Sequence, residues 1–244
     1  MTSTLPPDFT LEGYRALIAA LMDRGYAVVD FADARPEARH LILRHDVDMS
    51  LDAALAVAEV EAAMGFSAHY FVLLRSELYN PFAPAAMTAM RRLLSLGHRV
   101  GLHFDGAAHG SDAIDAAVAD ECALLETLTG APVTMVSFHR PAAGLLGHAA
   151  ALAGRAHAYQ PRFFSEMGYC SDSRGQWGHG HPLEHPAVAD GRALQLLTHP
   201  IWWTRTKGEG VVVRLDRFVD DRSRVVKEEL AANCEPYRDR GTRM

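Results

Sequence analysis

Apolar residues in this chain fall into two alternating spacings, and their succession predicts the elements. Leu17, Ile18, Leu21 and Met22 form one helical stripe, with Thr10 placed to cap its start and Gly25 to stop it, so a helix is expected over 11–24. A short strand follows at 26–31, then a compact apolar strand at 41–43 that runs into the polar string Arg44-His45-Asp46-Val47-Asp48. Ser50 precedes a helix over 51–64 that Gly65 ends. The unit recurs as strand 68–74 with helix 84–96, strand 99–102 with helix 111–129, and strand 133–138 with a short helix near 147–152. A last strand at 193–197 precedes a helix over 216–233.

Strands alternating with helices through short connections predict a largely parallel sheet. At 244 residues, a distorted (β/α) barrel of about seven strands is the economical α/β architecture. No repeat, low-complexity tract or Gly/Ser linker divides the chain, so 1–244 is expected to be a single domain. The least regular stretch, 160–190, holds one short strand near 168–170 and reads as an active-site loop.

Composition narrows the function classes. Hydrophobic residues make up 49% and charged residues 22%, the balance of a globular protein. Lys plus Arg total 24 against 30 Asp plus Glu, and no basic block stands out, which argues against nucleic acid as partner. Apolar runs such as 16–22 are too short for a membrane span, and the first residues lack the pattern of a secretory signal, so a cytoplasmic protein is expected. Three scattered cysteines give neither a disulfide framework nor a zinc ribbon, and no sequence feature assigns an oligomeric state.

The thirteen histidines matter for where they fall. Ionisable runs at 45–48, 103–105, 139–140 and 199 each follow a predicted strand, and in a parallel barrel those strand ends converge on one face. Asp46 and Asp48, two apart on extended chain, point to one side with Val47 turned the other way. For an isolated Asp-x-Asp, capping of the following helix is the bland alternative; His45 and His103 at neighbouring strand ends favour a site.

The series Arg44-His45-Asp46-Val47-Asp48, Gly97-His98-Arg99-Val100-Gly101-Leu102-His103, His139-Arg140-Pro141 and Leu196-Leu197-Thr198-His199 resembles the ordered motifs of the polysaccharide deacetylases with a NodB-homology domain, carbohydrate esterase family 4. The resemblance spans roughly 40–203. It implies a distorted barrel that hydrolyses N-acetyl groups of amino sugars with one divalent metal. It further implies Asp46 as catalytic base, Asp48 and His103 as metal ligands, His98 as a non-ligand, Arg140 as the partner that orients Asp46, and His199 as general acid. The chain departs from the pattern at Ala107, where the family carries a second histidine ligand. His139, at a converging strand end, is the best replacement; Asp105 and His109 are nearer in sequence.

The chemistry coheres: an acetamide is a poor electrophile, and its hydrolysis gains from a Lewis acid, a water of lowered pKa, a base and an acid for the leaving amine. Zinc is the default metal for histidine and carboxylate ligands. No Gly-x-Ser-x-Gly elbow offers a serine nucleophile. The run 169–177 mixes hydrogen-bonding groups with an aromatic, so Asp172, Arg174 and Trp177, together with Trp202, are candidates to line a sugar pocket. Gly178-His179-Gly180-His181, with His185, reads either as an additional metal site or as a loop. The expected function is therefore removal of an N-acetyl group from an acetamido sugar or glycan precursor. The alternatives are a non-catalytic carbohydrate-binding barrel and a metal-dependent amidase on a non-sugar amide.

Overall fold

A computed structural model describes residues 9–110, 113–141, 144–178 and 180–238. All strands run parallel, in the order β6-β5-β4-β3-β2-β8-β7, with β1 paired to the start of β2. These are β1 (Ala27–Val28), β2 (His40–Val47), β3 (His69–Val72), β4 (Arg99–Phe104), β5 (Met135–Phe138), β6 (Ala156–His157), β7 (Gly168–Ser171) and β8 (Leu194–Thr198). The sheet curls into an open half-barrel. Among the described residues its end strands β6 and β7 are unpaired with each other, and Tyr159, Phe164 and Tyr169 pack across the gap with ring centroids 5.1–6.2 Å apart.

The longer helices are α1 (Leu11–Asp23), α2 (Leu51–Ala63), α3 (Pro84–Ser95), α4 (Ile114–Thr129) and α8 (Val211–Asn233). Short helices α5 (Pro161–Phe164), α6 (Pro186–Ala189), α7 (Pro200–Trp203) and α9 (Glu235–Arg238) complete the set. The expected caps are in place: Thr10 Oγ1 accepts from the Gly13 amide and Ser50 Oγ from the Ala53 amide. The expected stop Gly65 has φ +81°, a conformation an L side chain resists. Ser111, the expected start of the fourth helix, lies outside the described residues.

Three departures from the sequence reading have local causes. β2 continues through the polar string to Val47, because the charges of Arg44 and Asp46 neutralise each other inside the barrel. No helix forms near 147–152: Gly147 and Gly154 take positive φ, Leu152 bridges to Arg155, and the chain enters β6. α8 starts at Val211, five residues before the expected start at 216, because the run Val211-Val212-Val213 hides a helical turn behind strand-like residues.

Alternation along β2 gives each face of the sheet its own polar system. Outward, His45 Nε2 lies 2.8 Å from Glu61 Oε1 on α2 and Nδ1 lies 2.7 Å from Thr198 Oγ1 on β8. Tyr14 and Tyr70 also donate to Glu61, at 2.5 and 2.6 Å, and all four side chains are fully buried. Burial raises the pKa of Glu61, but the charge and hydrogen bond of His45, with the tyrosine hydroxyls, outweigh it and hold the carboxyl below its ordinary value. Inward, β2 presents Arg44 and Asp46.

Candidate metal and hydrolytic centre

Parallel strands place their C-terminal ends along one rim, and Asp48, His139, Asp172 and His199 each follow a strand there, while His103 sits one residue from the end of β4. Arg44 anchors the floor beneath them. Its Nε lies 3.0 Å from Asp46 Oδ1 and its Nη2 2.8 Å from Oδ2, a bidentate pair closed to solvent. The remaining donors reach Gln195 Oε1 at 3.2 Å and the Tyr159 hydroxyl at 3.0 Å, and the guanidinium lies 4.5 Å from the Tyr159 ring centroid. Burial raises the pKa of Asp46, yet the Arg44 charge overcomes it and keeps the carboxyl below the usual range.

This arrangement corrects the expected Arg140–Asp46 pair. Arg140 instead holds Asp105 through Nε and Nη2, with its side chain largely exposed, whereas Arg44 already satisfies both oxygens of Asp46. The sequence marks Arg44 only as part of a motif; its role depends on an interior that the sheet's curl creates.

Above the floor, Asp48, His103 and His139 converge, their three ligand atoms all within 4.8 Å of one another. His103 Nε2 lies 3.0 Å and His139 Nδ1 3.3 Å from the same oxygen, Asp48 Oδ1. Oδ1 is nonetheless buried without a properly directed hydrogen bond. Three ligand atoms gathered within coordination reach of one another, one of them a buried oxygen left without a hydrogen bond, are what a cation site offers, and one carboxylate with two imidazoles suits zinc while leaving positions open. Burial raises the pKa of Asp48, but the imidazoles of His103 and His139 outweigh it and hold the carboxyl well below its ordinary value.

The other replacements weighed for the missing histidine are engaged elsewhere. Asp105 is bound to Arg140 and accepts from the Ala107 amide, while His109 stacks on Phe104 and places Nε2 3.3 Å from Glu121. His98 donates from Nε2 to the Ala58 carbonyl at 3.0 Å, outside the cluster. His181 and His185 accept from the Leu183 and Ala187 amides through Nδ1, closing turns; His179 lies outside the described residues.

His199 approaches from the opposite side, its Nε2 3.8 Å from Asp48 Oδ2. Its Nδ1 lies 2.7 Å from Asp172 Oδ1, and Asp172 also accepts from the His199 amide and from Trp203 Nε1. Burial lowers the pKa of His199, but the hydrogen bond and charge of Asp172, with the charges of Asp48 and Asp46, raise it to about 9. Asp172 is fully buried, so it orients His199 instead of lining a sugar pocket. Trp202 is likewise a core residue, 5% exposed; Trp177 is half-buried against Phe9 and Trp203, and Arg174 is exposed.

Asp46 contributes no ligand atom to the Asp48–His103–His139 cluster. It lies behind His103, 3.8 Å from Nδ1, whereas the opposite nitrogen Nε2 faces Asp48. Ser137 is the residue that sequence reasoning missed: its hydroxyl contacts both His103 and Asp46, and nothing in a strand reading Met-Val-Ser-Phe marks it.

Comparison with protein-family models gives no match, and none is found among curated proteins. Solved structures do match. The chain is similar to a family 4 carbohydrate esterase from Bacillus anthracis, at 15% identity over 86% of this chain and 85% of that one, TM-score 0.44. It is similar to a chitin deacetylase from the fungus Colletotrichum lindemuthianum, at 14% identity over 80% and 86%, TM-score 0.46. A family 4 pseudoenzyme from Bacillus anthracis is similar at 13% identity over 78% of this chain and 62% of that one, TM-score 0.42. These neighbours are of the polysaccharide deacetylase, NodB-like kind.

Proposed function

We propose that this protein is a metal-dependent hydrolase that removes the N-acetyl group of an acetamido sugar or glycan precursor. The observation that carries the reading is the convergence of His103 Nε2 and His139 Nδ1 on the unbonded, buried Oδ1 of Asp48. Those three residues would hold one divalent ion, zinc by ligand chemistry. Such an ion supplies Lewis acidity toward an acetamide carbonyl and lowers the pKa of water.

The chain's own groups then divide the remaining work. His199 Nε2, 3.8 Å from the other carboxylate oxygen of Asp48, would move a proton, and Asp172 holds the ring so that Nε2 is the nitrogen presented. Asp46 stays ionised beneath His103, and Arg44 keeps it there. Arg174, exposed after β7, remains a candidate to meet a sugar ring.

The second reading is a barrel that binds carbohydrate without turning it over, and Ala107, in place of the family's second histidine, keeps it open. One experiment separates the two. Acetate release from N-acetylglucosamine oligosaccharides would be measured with wild type and Asp48→Ala, together with metal content. About one ion per chain and turnover, both lost in the variant, is the expected result. Oligosaccharide binding without acetate release would establish the binding barrel instead. Turnover only on non-sugar amides would move the substrate class.

A further inference from the structure

The centre contains a chain of contacts that the ligand set does not account for. Ser137 on β5 stands directly across from His103 on β4 in the parallel register, and its Oγ lies 2.6 Å from His103 Nδ1. The same hydroxyl donates to Asp46 Oδ1 at 3.2 Å, from β5 across the inside of the half-barrel to β2. Asp46 is in turn gripped by Arg44 through both oxygens. All four side chains are buried, so no solvent competes for these bonds.

Proton accounting fixes the direction of the chain. An ionised carboxylate only accepts, so the single Ser137 proton goes to Asp46. The serine oxygen must then accept from His103, which places the imidazole proton on Nδ1 and leaves the Nε2 lone pair pointing at Asp48. Without an acceptor at Asp46, the serine proton could turn to Nδ1 and push the ring proton onto Nε2, closing the nitrogen a metal needs.

We propose that Ser137 is a positioning residue for the metal site, and that the relay Arg44–Asp46–Ser137–His103 sets the His103 tautomer that presents Nε2 to a divalent cation. The inference rests on the metal reading of the site above. It gives Asp46 a task different from proton abstraction: a fixed anion that reaches the ligand through a hydroxyl. Partners of this kind behind a ligating histidine typically change metal affinity 10–100-fold.

The test is calorimetric titration of metal-free full-length protein with Zn2+ alone, for wild type, Ser137→Ala and Ser137→Thr, with Co2+ absorption as a second readout of ligand geometry. Ser137→Ala should weaken Zn2+ binding by about 10–100-fold and alter the Co2+ spectrum. Ser137→Thr, which keeps the hydroxyl, should restore both. Equal affinity in wild type and Ser137→Ala overturns the relay while leaving the metal site standing. Equal weakening by Ala and Thr also overturns it, because packing and not the hydroxyl would then matter. No Zn2+ uptake by wild type overturns the relay and the metal reading together.

Discussion

Arg44 and Asp46 are separated by one residue on the same strand, and they form a bidentate ion pair inside the half-barrel with both side chains closed to solvent. Removing one partner strands the other charge. Arg44→Met should therefore destabilise the fold by about 3–5 kcal/mol, while Arg44→Met combined with Asp46→Leu should recover much of that loss. Urea denaturation of the two variants checks this, and equal losses would refute the charge argument.

The second buried charge carries a pH signature. Glu61 is faced by Tyr14 from α1, His45 from β2, Tyr70 from β3 and His98 ahead of β4, and its folded pKa lies below the ordinary value. A carboxyl depressed on folding contributes stability above its unfolded pKa of about 4.3, and that contribution fades as pH falls through the folded value. Glu61→Gln should be markedly less stable than wild type at pH 7, with the gap narrowing below about pH 5. Denaturation midpoints across this range decide it; a gap independent of pH would mean the loss is one of packing.

The third metal ligand is a choice between two histidines. His139→Ala should lose bound metal, whereas His109→Ala should keep it, because His109 is turned toward Glu121. Elemental analysis after identical purification reads the difference directly.

Asp172 is placed to act through His199. Asp172→Asn should retain metal but cut turnover by about 10²–10⁴-fold, the range for a disturbed acid–base group. Metal loss in this variant would show that Asp172 supports the rim as a whole.

Gly101 tests the interior packing without touching a ligand. A Cβ there would sit 2.6 Å from the Phe71 ring, and Phe71 packs beside Arg44. Gly101→Ala should cost about 1–3 kcal/mol from overpacking, seen as a lowered melting temperature.

The rim residues were legible in the sequence because strand periodicity and short connections leave little freedom: Asp48, His139 and His199 had to share a face once the sheet was parallel. Who pairs with whom was not. The Arg44–Asp46 bond depends on side chains two apart pointing inward, which the alternation shows, but also on β2 running on through charged residues, which propensity argues against. Ser137 reaches Asp46 across three strand spacings only because the sheet curls. β6 escaped notice because two residues carry no period, and its glycine-rich approach resembles a broken helix.

The two-faced character of β2 sets how this protein can change. His45 serves the outer network and Asp46 the inner relay from adjacent positions, and Thr198 and His199 repeat the arrangement on β8 and just beyond. Substitutions here act on one face and leave the other to compensate. Insertion or deletion of one residue between 40 and 47 has no such graded outcome. It would exchange the two faces at a stroke, carrying an imidazole into the chamber and a carboxylate under the helices. For this strand, variation in kind is tolerable and variation in length is not.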